Sequence, residues 1–304
     1  MTAARAICVG VDAGGSSTVA ALSEDGQVRR SARTRGANAT TLGVDDAADV
    51  MITAIRDVLE GAEPAAIYVG AAGAGRARVA AQLQESIALA FRSAVVAVGD
   101  DAATALRAAI PAGDGAVLIA GTGSTAYAQR GERSHRAGGL GPLAGDEGSA
   151  YWIGLQAVRL YGRVLDGRAS RDETSDLVAR TLEAPDRERY LDALYDASPK
   201  PAQIAALAPS ILAFAGKGNR AATKIVQQAA QELGDLVKAA LKAVDLVDAS
   251  PAIALAGGLL RENSLLTFLL ETRLNADVPG VSIVKDGDEP ELGALRLAER
   301  LATA

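Results

Sequence analysis

Two turns rich in glycine and hydroxyl residues stand at the ends of apolar strands. The first is Asp12-Ala13-Gly14-Gly15-Ser16-Ser17-Thr18, and the second is Gly121-Thr122-Gly123-Ser124. Glycines let a backbone approach a bulky anion closely, and the hydroxyls can donate hydrogen bonds to its oxygens. Asp12 can hold a hydrated magnesium ion while the turn receives phosphate oxygens. Taken alone, either turn is also explained as an ordinary glycine hairpin.

Two adjacent carboxylates, Asp100 and Asp101, stand where an apolar strand passes into a helix. One carboxylate at such a position is most simply the N-cap of the helix. The other can act as a general base that takes the proton from an attacking hydroxyl during phosphoryl transfer. The pair therefore allows both roles.

A further carboxylate loop, Asp146-Glu147, closes a glycine-rich segment just before a helix that is predicted to begin at Ala150. The glycines of that segment are Gly138, Gly139, Gly141 and Gly145. Carboxylates next to a phosphate-type turn predict a site where an anion and a metal ion meet.

A glycine pair, Gly257-Gly258, follows the apolar strand 252–256. It lets the backbone approach a flat group such as a nucleobase or a ribose, although a tight strand-to-helix turn explains it equally well. The chain contains neither a G-x-x-x-x-G-K-[ST] loop nor a G-x-G-x-x-G segment that opens a helix. The P-loop and Rossmann types of nucleotide site are therefore excluded.

Hydrophobic patterns predict the strands and helices that position these residues. The predicted strands cover residues 6–12, 18–23, a stretch from Val28, 66–70, 94–98, 116–120, 125–130, 252–256 and 281–284. The predicted helices cover residues 44–59, 76–91, 102–110, most of 150–245, a segment from about 261–263 onward, and 290–301. Breaks within 150–245 are predicted at Asp166-Gly167, Ala197-Ser198-Pro199 and Gly216-Lys217-Gly218. The charged segment 130–136, which includes His135, is predicted to be a surface loop.

Two segments of the chain look alike and indicate two related halves. ICVGVDAGGSSTVAAL (7–22) and AVLIAGTGSTAYAQ (116–129) each place a small-residue turn between two apolar strands, at a spacing of about 110 residues. The clearest linker lies between them, at residues 111–115. We expect an N-terminal lobe of residues 1–111, completed by the C-terminal helix 290–304, and a C-terminal lobe of residues 112–289.

Composition narrows the class of protein. At 304 residues the chain can bury a large core, and its net charge of −6 argues against a general nucleic-acid binder and against a polybasic membrane surface. It has no apolar run of eighteen residues and no signal pattern, so we expect a cytoplasmic protein. The single cysteine, Cys8, excludes an intramolecular disulfide and a cysteine-only iron–sulfur site within one chain.

Taken in order, these motifs resemble those of a known family. DAGGSST, GDDAATAL, AGTGS, GGLGPLAGDEGSAYWIG and LAGGLLREN are similar to motifs of the BadF/BadG/BcrA/BcrD ATPase family of the actin–hexokinase–Hsp70 superfamily. The sequence looks closest to the N-acetylglucosamine kinase branch, and the resemblance extends from Val9 to Leu295. It implies an α/β fold of two ribonuclease-H-like (actin-like ATPase) lobes, with ATP and a sugar in a central cleft.

The resemblance also implies roles for individual residues. Asp101 would be the catalytic base, and Asp12 and Asp146 would act through Mg²⁺ and its waters. The implied ATP-binding residues are Gly14, Gly15, Ser16, Ser17, Thr18, Thr122, Gly257 and Gly258. The implied sugar-binding residues are Asn38, Asp101, Gly121, Thr122, Gly123, Gly139 and Asp146.

The chain departs from the family pattern at a few positions. Ser17 stands where such kinases often have Lys or Arg, and Ser16 replaces a common threonine. The segment Gly70-Ala71-Ala72-Gly73 lacks the hydroxyl of a G-x-S-G-like motif, which bears on recognition of the sugar or its acetamido group. One Cys and one His cannot form the zinc motif of the related ROK kinases, and Cys8 is wrongly placed for the cluster of the acyl-CoA-dehydratase activators.

These observations predict an ATP-dependent kinase that phosphorylates the 6-hydroxyl of an amino sugar, with N-acetylglucosamine as the first candidate. Glucosamine and N-acetylmuramic acid are alternative substrates. A BadF-type ATPase or a sugar-sensing module without sugar phosphorylation is the alternative from another class. The expected cofactors are ATP and Mg²⁺, the expected assembly is a homodimer, and no nucleic-acid or membrane partner is expected.

Overall fold

A computed structural model describes residues 6–196, 199–260 and 264–303. The chain divides into two compact units, each with its own sheet. Unit 1 contains the described residues up to Gly113 and those from Val284 onward, and unit 2 runs from Asp114 to Ile283. Within these described ranges, every helix is too short or too polar to cross a membrane.

Unit 1 is built on a five-stranded sheet of order β3-β2-β1-β4-β5. Its strands are β1 (Ile7–Ala13), β2 (Ser17–Glu24), β3 (Gln27–Arg35), β4 (Ala66–Ala71) and β5 (Val95–Asp100). β1, β2 and β3 are antiparallel neighbours, whereas β4 and β5 run parallel to β1. The carboxyl ends of β1, β4 and β5 therefore meet at one edge, where Ala13 pairs with Ala71 and Ala71 pairs with Asp100.

Helices pack on both faces of this sheet. They are α1 (Ala39–Leu42), α2 (Val44–Leu59), α3 (Ala77–Ala90), α4 (Asp101–Ala109) and the C-terminal helix (Pro290–Thr303). Side chains of a strand alternate between faces, so Val9 and Val11 of β1 join the apolar cluster of α2 and α3. Cys8 points the other way, into a smaller cluster with Leu295 of the C-terminal helix. Gly10 is needed on that face because a Cβ atom would collide with the backbone of Leu295.

Unit 2 is built on a sheet of order β10-β9-β6-β7-β8. Its strands are β6 (Gly115–Ala120), β7 (Ser124–Arg130), β8 (Arg133–Gly138), β9 (Ala252–Ala256) and β10 (Ser282–Val284). β6, β7 and β8 are antiparallel neighbours and β9 runs parallel to β6. The two sheets thus repeat one strand order, and the predicted α/β class is confirmed.

Most of unit 2 outside its sheet is helical. Its helices are α5 (Ala150–Leu165), α6 (Glu173–Thr181), α7 (Arg187–Leu191), α8 (Pro201–Ala205), α9 (Ala208–Gly216), α10 (Arg220–Ala243) and α11 (Leu265–Asp277). The predicted helical region and its breaks after residues 165 and 216 are confirmed. At the break predicted for Ala197-Ser198-Pro199, residues 197 and 198 lie outside the described residues.

One predicted loop is wrong, and one predicted helix start lies outside the described residues. Residues 130–136 were expected to form a loop, but Arg133–Gly138 forms β8, an edge strand. An edge strand tolerates a charged sequence because its backbone pairs with one neighbour while its side chains reach solvent, and His135 is exposed as expected. The predicted helix start at Arg261-Glu262-Asn263 lies outside the described residues, and α11 begins at Leu265 after the N-cap Ser264.

Candidate active site

The turn between β1 and β2 forms the first part of the site in unit 1. The Gly14 N–H donates to the carbonyl oxygen of Ser17 at 2.9 Å, which makes the turn tight. The Ala37 N–H donates to the Gly14 carbonyl oxygen at 3.0 Å and holds the turn from the chain that follows β3. Gly15 and Ser16 are exposed at the tip. Small exposed residues at a sheet edge allow a phosphate group to come close to the backbone.

Thr18 lies at the base of the same turn and is 0% exposed. Its hydroxyl has no hydrogen-bond partner among the described residues. A buried polar atom without a partner costs free energy, about 1–3 kcal/mol, until a ligand oxygen or a water satisfies it. This orphaned hydroxyl beside Ser16 and Ser17 fits a turn that receives phosphate.

Asp12, the carboxylate at the end of β1, is partly buried in a setting that disfavours its charge. Burial raises its pKa to about 6, and the negative charge of Glu291 adds to this effect. Arg33 and a hydrogen bond with Thr104 act in the opposite direction. A divalent cation next to Asp12 would offset both the burial and the repulsion, because it favours the ionised carboxylate.

Thr104 links Asp12 to Asp101 and was not selected from the sequence. It is fully buried, its hydroxyl donates to the carbonyl oxygen of Asp101 at 2.6 Å, and it lies close enough to Asp12 to lower the pKa of that carboxyl. Gly70, the neighbour of Asp12 on β4, provides the space, since a Cβ atom there would collide with the Thr104 side chain. The one signal available in the sequence was its position, three residues after Asp101 in GDDAATAL.

Asp100 and Asp101 are distinguished by their place at the start of α4. A side-chain oxygen of Asp100 accepts a hydrogen bond from the Ala102 N–H at 2.9 Å, which makes Asp100 the N-cap. Asp101 is the first residue of α4. Because Asp100 supplies the cap, the helix does not require the Asp101 carboxylate for that purpose.

Asn38, the predicted sugar ligand of unit 1, lies in the loop before α1. Its side-chain oxygen accepts a hydrogen bond from the Thr40 N–H at 2.8 Å, which leaves its side-chain N–H groups for a ligand. The loop after β4 packs against it, because Gly73 has φ 90° and leaves no space for a Cβ atom beside Thr40. In that loop Ala71 is fully buried and only Ala72 of the two alanines has exposed surface.

The turn between β6 and β7 is the corresponding part of unit 2. The Gly121 N–H donates to the carbonyl oxygen of Gly123 at 2.9 Å. Two N–H groups from the first turn of α5 donate back to it, from Ala150 to Gly121 at 2.9 Å and from Tyr151 to Thr122 at 3.2 Å. The start of α5 thereby anchors the turn, and Thr122 is exposed at its tip.

Ser124 belongs to the predicted anion-binding turn, but its buried hydroxyl binds the protein itself and connects three parts of unit 2. Its backbone N–H donates to the Asp146 carboxylate at 3.3 Å and its hydroxyl donates to the Glu147 carbonyl oxygen at 2.7 Å. Its own carbonyl oxygen accepts from the Gly139 N–H at 2.8 Å. A Cβ atom on Gly123 would lie 2.6 Å from an oxygen of Asp146, so the turn and the carboxylate are tightly packed.

Asp146 is 9% exposed and has a left-handed backbone with φ 60°. Burial raises its pKa, with Glu147 adding to the effect, while the Ser124 N–H and Arg136 act against it. Among the residues that the structure describes, no three His, Cys, Asp or Glu side chains are grouped so that they could hold a metal ion. Mg²⁺ commonly keeps several waters and takes one or two carboxylates together with substrate phosphates, so a single carboxylate such as Asp12 of unit 1 or Asp146 of unit 2 fits such a role within its own unit.

The glycine pair after β9 lies next to the β6–β7 turn. Gly257 has φ 97°, and a Cβ atom there would collide with the backbone of Ala120, the residue before Gly121. The Leu259 N–H donates to the Ala120 carbonyl oxygen at 3.1 Å and fixes this approach. A Cβ atom on Gly258 would meet open space, so a flat group could approach the backbone there.

Each unit therefore collects its predicted residues at one sheet edge. Unit 1 brings together the β1–β2 turn, Asn38 and Asp101, and unit 2 brings together the β6–β7 turn, Gly139, Asp146 and the glycine pair. A cavity of about 550 Å³ in unit 2 is lined by other residues of α5, α7 and the loop after α5, among them Arg159, Arg163, Arg168 and Arg187. It contains none of the predicted site residues.

Comparison with known proteins gives consistent matches. The model of the BadF/BadG/BcrA/BcrD ATPase family matches residues 9–298. An N-acetylmuramic acid/N-acetylglucosamine kinase of Clostridium acetobutylicum is 29% identical over 78% of this chain and 78% of its own length. An N-acetyl-D-glucosamine kinase of Dictyostelium discoideum is 29% identical over 60% of this chain and 59% of its own length. A solved structure from Chromobacterium violaceum, assigned as a candidate N-acetylglucosamine kinase, superposes with a TM-score of 0.74 at 27% identity and covers 96% of this chain and 99% of its own.

Proposed function

Because this chain belongs to the BadF/BadG/BcrA/BcrD ATPase family, we propose that it is an ATP-dependent kinase acting on the 6-hydroxyl of an amino sugar, N-acetylglucosamine. Both curated relatives carry that sugar in their names. The observation that carries the proposal is the division of roles at the start of α4. Asp100 caps the helix, so Asp101 can serve as a base while Thr104 connects its backbone to Asp12.

In this proposal the two turns receive the phosphates of ATP. Hydroxyls and amides of Gly14 to Thr18 would donate to phosphate oxygens, as would Thr122, while Gly257-Gly258 would lie against the adenosine. The orphaned hydroxyl of Thr18 and the open space at Gly258 support this assignment. Mg²⁺ would be held by Asp12 and Asp146, largely through water, and when bound it neutralises phosphate charge.

The chemical step follows from the role of Asp101. The oxygen of the sugar 6-hydroxyl forms a bond to the γ-phosphorus of ATP while the bond from that phosphorus to the bridging oxygen of ADP breaks. The hydroxyl proton passes to the Asp101 carboxylate, which later returns it to solvent. The hydroxyl donors of the turns stabilise the charge that spreads over the transferred group, and exclusion of water limits wasteful hydrolysis of ATP.

In this proposal the sugar ring is held by Asn38, Asp146 and the glycine-rich backbone near them. The side-chain N–H groups of Asn38 can donate to a ring hydroxyl, and Asp146 can accept a hydrogen bond from another. Gly121 leaves open space beside the backbone, whereas the missing side chains of Gly123 and Gly139 make room for Asp146 and Arg136. Ala72, the half-buried alanine beside Asn38, supplies no hydroxyl, so discrimination at the acetamido group would rest on backbone contacts and shape.

The proposal is tested by the release of ADP from ATP and Mg²⁺ with N-acetylglucosamine, glucosamine, N-acetylmuramic acid, glucose or no sugar. We expect turnover that requires an N-acetylated sugar and a product phosphorylated at position 6. ADP release that is independent of sugar would contradict the kinase assignment and favour an ATPase that acts on a partner protein.

N-acetylmuramic acid is a second candidate substrate because of one further cation near Asn38. A guanidinium nitrogen of Arg76 donates to the Thr40 hydroxyl at 3.3 Å, and Thr40 is also the residue whose N–H binds the Asn38 side chain. N-acetylmuramic acid differs from N-acetylglucosamine by a lactyl ether that bears a carboxylate. Arg76 is exposed and could pair with that carboxylate.

A pair of arginine variants tests this second candidate. Arg76→Gln should raise the KM for N-acetylmuramic acid about 10-fold and leave the KM for N-acetylglucosamine nearly unchanged, since only the former carries the carboxylate. Arg78→Gln is the matched control, because Arg78 is equally exposed and lies two residues further along the same segment. Equal KM changes for both sugars would argue against recognition of the carboxylate by Arg76.

We also propose that the enzyme works in the cytoplasm as a homodimer, as the family resemblance implies. ATP is available in that compartment. Light scattering coupled to gel filtration would measure the mass of the assembly, and a mass equal to one chain at working concentrations would refute the dimer.

A further inference from the structure

The β1–β2 turn contains no cation of its own, but β3 brings two arginines, Arg33 and Arg35, to its face. Between Asp12 and Thr18 the only charged side chain is Asp12, which is negative. The triphosphate of ATP carries several negative charges, and the turn itself has no positive side chain to balance them. The question is which side chain provides the positive charge.

The strand register shows which side chains lie on the same face of the sheet as Asp12 and the turn. Asp12 of β1 pairs with Val19 of β2, and Val19 pairs with Arg33 of β3. Side chains at paired positions of neighbouring strands project on the same face of a sheet, and so do residues two apart on one strand. Asp12, Arg33 and Ser17 therefore share one face at the carboxyl end of β1. Arg35, which pairs with Ser17, lies on that face too, and a side-chain hydrogen bond singles out Arg33.

The Arg33 side chain is directed at the turn. Its Nη1 atom donates a hydrogen bond to the Ser17 hydroxyl oxygen at 2.9 Å. Its positive charge also favours the ionised form of Asp12, whose pKa it acts to lower. The side chain of Arg33 is exposed, so a ligand can reach the guanidinium.

The other arginines of β3 for which contacts are seen are engaged differently. Arg29 forms an ion pair with Glu24, and Arg30 forms one with Glu60. In the described part of the chain, Arg33 has no ion pair and its recorded hydrogen bond goes to a neutral hydroxyl. A guanidinium has five donors in a planar fork, so most of its hydrogen-bonding capacity is still available to an anion.

We propose that Arg33 is a nucleotide-binding residue whose guanidinium donates to phosphate oxygens of ATP at the β1–β2 turn. On binding, the guanidinium would exchange its bond to the Ser17 hydroxyl for charge-assisted bonds to phosphate, and Ser17 could then donate to the phosphate as well. The inference rests on the proposed function only in taking ATP as the ligand of the turn. It assigns to a side chain on β3 a role that the motif itself does not contain.

The competing explanation is that Arg33 merely keeps Ser17 and Asp12 in place. Calorimetric titration of the full-length protein with Mg²⁺-ATP, in the absence of sugar, separates the two explanations. Arg33→Gln should weaken ATP binding about 10-fold, which is the range expected for loss of a charge-assisted phosphate contact. Arg33→Lys keeps the charge and should lose less, about 3-fold.

Arg29→Gln is the matched control, because it removes an equal charge from the same strand at a position beside Glu24. It should bind ATP as the wild type does, whereas Arg33→Gln should also show a weaker dependence of ATP affinity on salt concentration. Unchanged ATP affinity in Arg33→Gln, together with a lower melting temperature, would show a structural role and overturn the proposal.

A variant that moves the arginine from position 33 to position 17 gives the most direct test of a phosphate contact. The double variant Ser17→Arg/Arg33→Ser moves the guanidinium from β3 to the adjacent position in the turn. We expect it to bind ATP more tightly than Arg33→Ser alone, because the phosphate again meets a cation. Failure of that recovery would refute a direct phosphate contact. ATP binding by the wild type without any sugar phosphorylation would refute the proposed function and leave the role of Arg33 intact.

Discussion

Asp100 and Asp101 differ by one position in the sequence, yet α4 assigns them different tasks. Asp101→Asn should lower kcat by about 10²–10⁴-fold, the usual contribution of a general base, because an amide cannot accept the hydroxyl proton. ATP affinity and the melting temperature should stay close to those of the wild type. Steady-state kinetics, calorimetric ATP titration and thermal unfolding measure the three quantities.

Asp100→Asn provides the control for that experiment. Asparagine is also a good N-cap, so this variant should lose little stability, and Asp100→Ala should lose about 1 kcal/mol because the Ala102 N–H then lacks its partner. Neither change should approach the loss of turnover seen at Asp101. A larger loss at Asp100 than at Asp101 would reverse the assignment of cap and base.

Asp12 lowers the stability of the protein when it is ionised without a cation. Its pKa in the folded state is raised to about 6, above the ordinary value of 3.8, so the folded state binds the proton more tightly than the unfolded chain does. The contribution of Asp12 to the free energy of unfolding is therefore fully present below about pH 4, and it is lost as the pH rises through 6. Each pKa unit corresponds to about 1.4 kcal/mol, which bounds the loss at about 3 kcal/mol.

Asp12→Asn should remove this pH dependence. In chelator-treated protein without nucleotide, its free energy of unfolding should exceed that of the wild type by at most about 3 kcal/mol at pH 7, and the difference should shrink toward pH 4. Urea unfolding at several pH values measures the difference. A constant difference between pH 4 and pH 7 would contradict the raised pKa.

At the scale of the element, the β6–β7 turn offers two glycines with different surroundings. A Cβ atom on Gly123 would lie 2.6 Å from the Asp146 carboxylate, whereas one on Gly121 would meet nothing within 4 Å. Gly123→Ala should therefore lower the free energy of unfolding by about 1–3 kcal/mol through overpacking. Gly121→Ala should change it by less than about 1 kcal/mol. Chemical denaturation measures both, and equal effects would show that Asp146 moves aside without cost.

The sequence predicted the elements of the sheets well because their signals are local. Apolar strands that end in glycine-rich turns appear directly in the chain, and the turns at Gly14 and Gly121 are where the patterns placed them. β8 was missed because its residues are charged and short of apolar alternation. Its strand conformation comes from backbone pairing with β7, a partner that composition does not reveal.

Residues that act through long-range contacts were not accessible from spacing. Thr104 matters because α4 folds back toward β1, and Ser124 matters because the loop that carries Asp146 returns to the turn. Arg33 belongs to none of the motifs that the sequence offered. The register of three strands, rather than any motif, places it beside Ser17.

At the scale of the whole molecule, each buried apolar cluster formed by the described residues lies within one unit. One cluster belongs to unit 2, and the other two belong to unit 1. Separate cores predict unfolding that departs from a single two-state transition. In calorimetry, Gly10→Ala should lower the transition of unit 1, since its Cβ atom meets the C-terminal helix, and Gly123→Ala should lower that of unit 2. One sharp transition shifted equally by both variants would contradict this expectation.

The shared strand order makes the difference between the units easy to locate. Between the third and fourth strands in chain order, unit 1 has residues 36–65 with α1 and α2, whereas unit 2 has residues 139–251 with α5 to α10. This crossover is therefore the place where the two units differ most in length, and the strand order is the same on either side of it. Such a connection is a natural point of growth during evolution. A protein engineer can change its length in the exposed loops between helices, while Gly139, Asp146 and the helices that pack on the sheet must be kept.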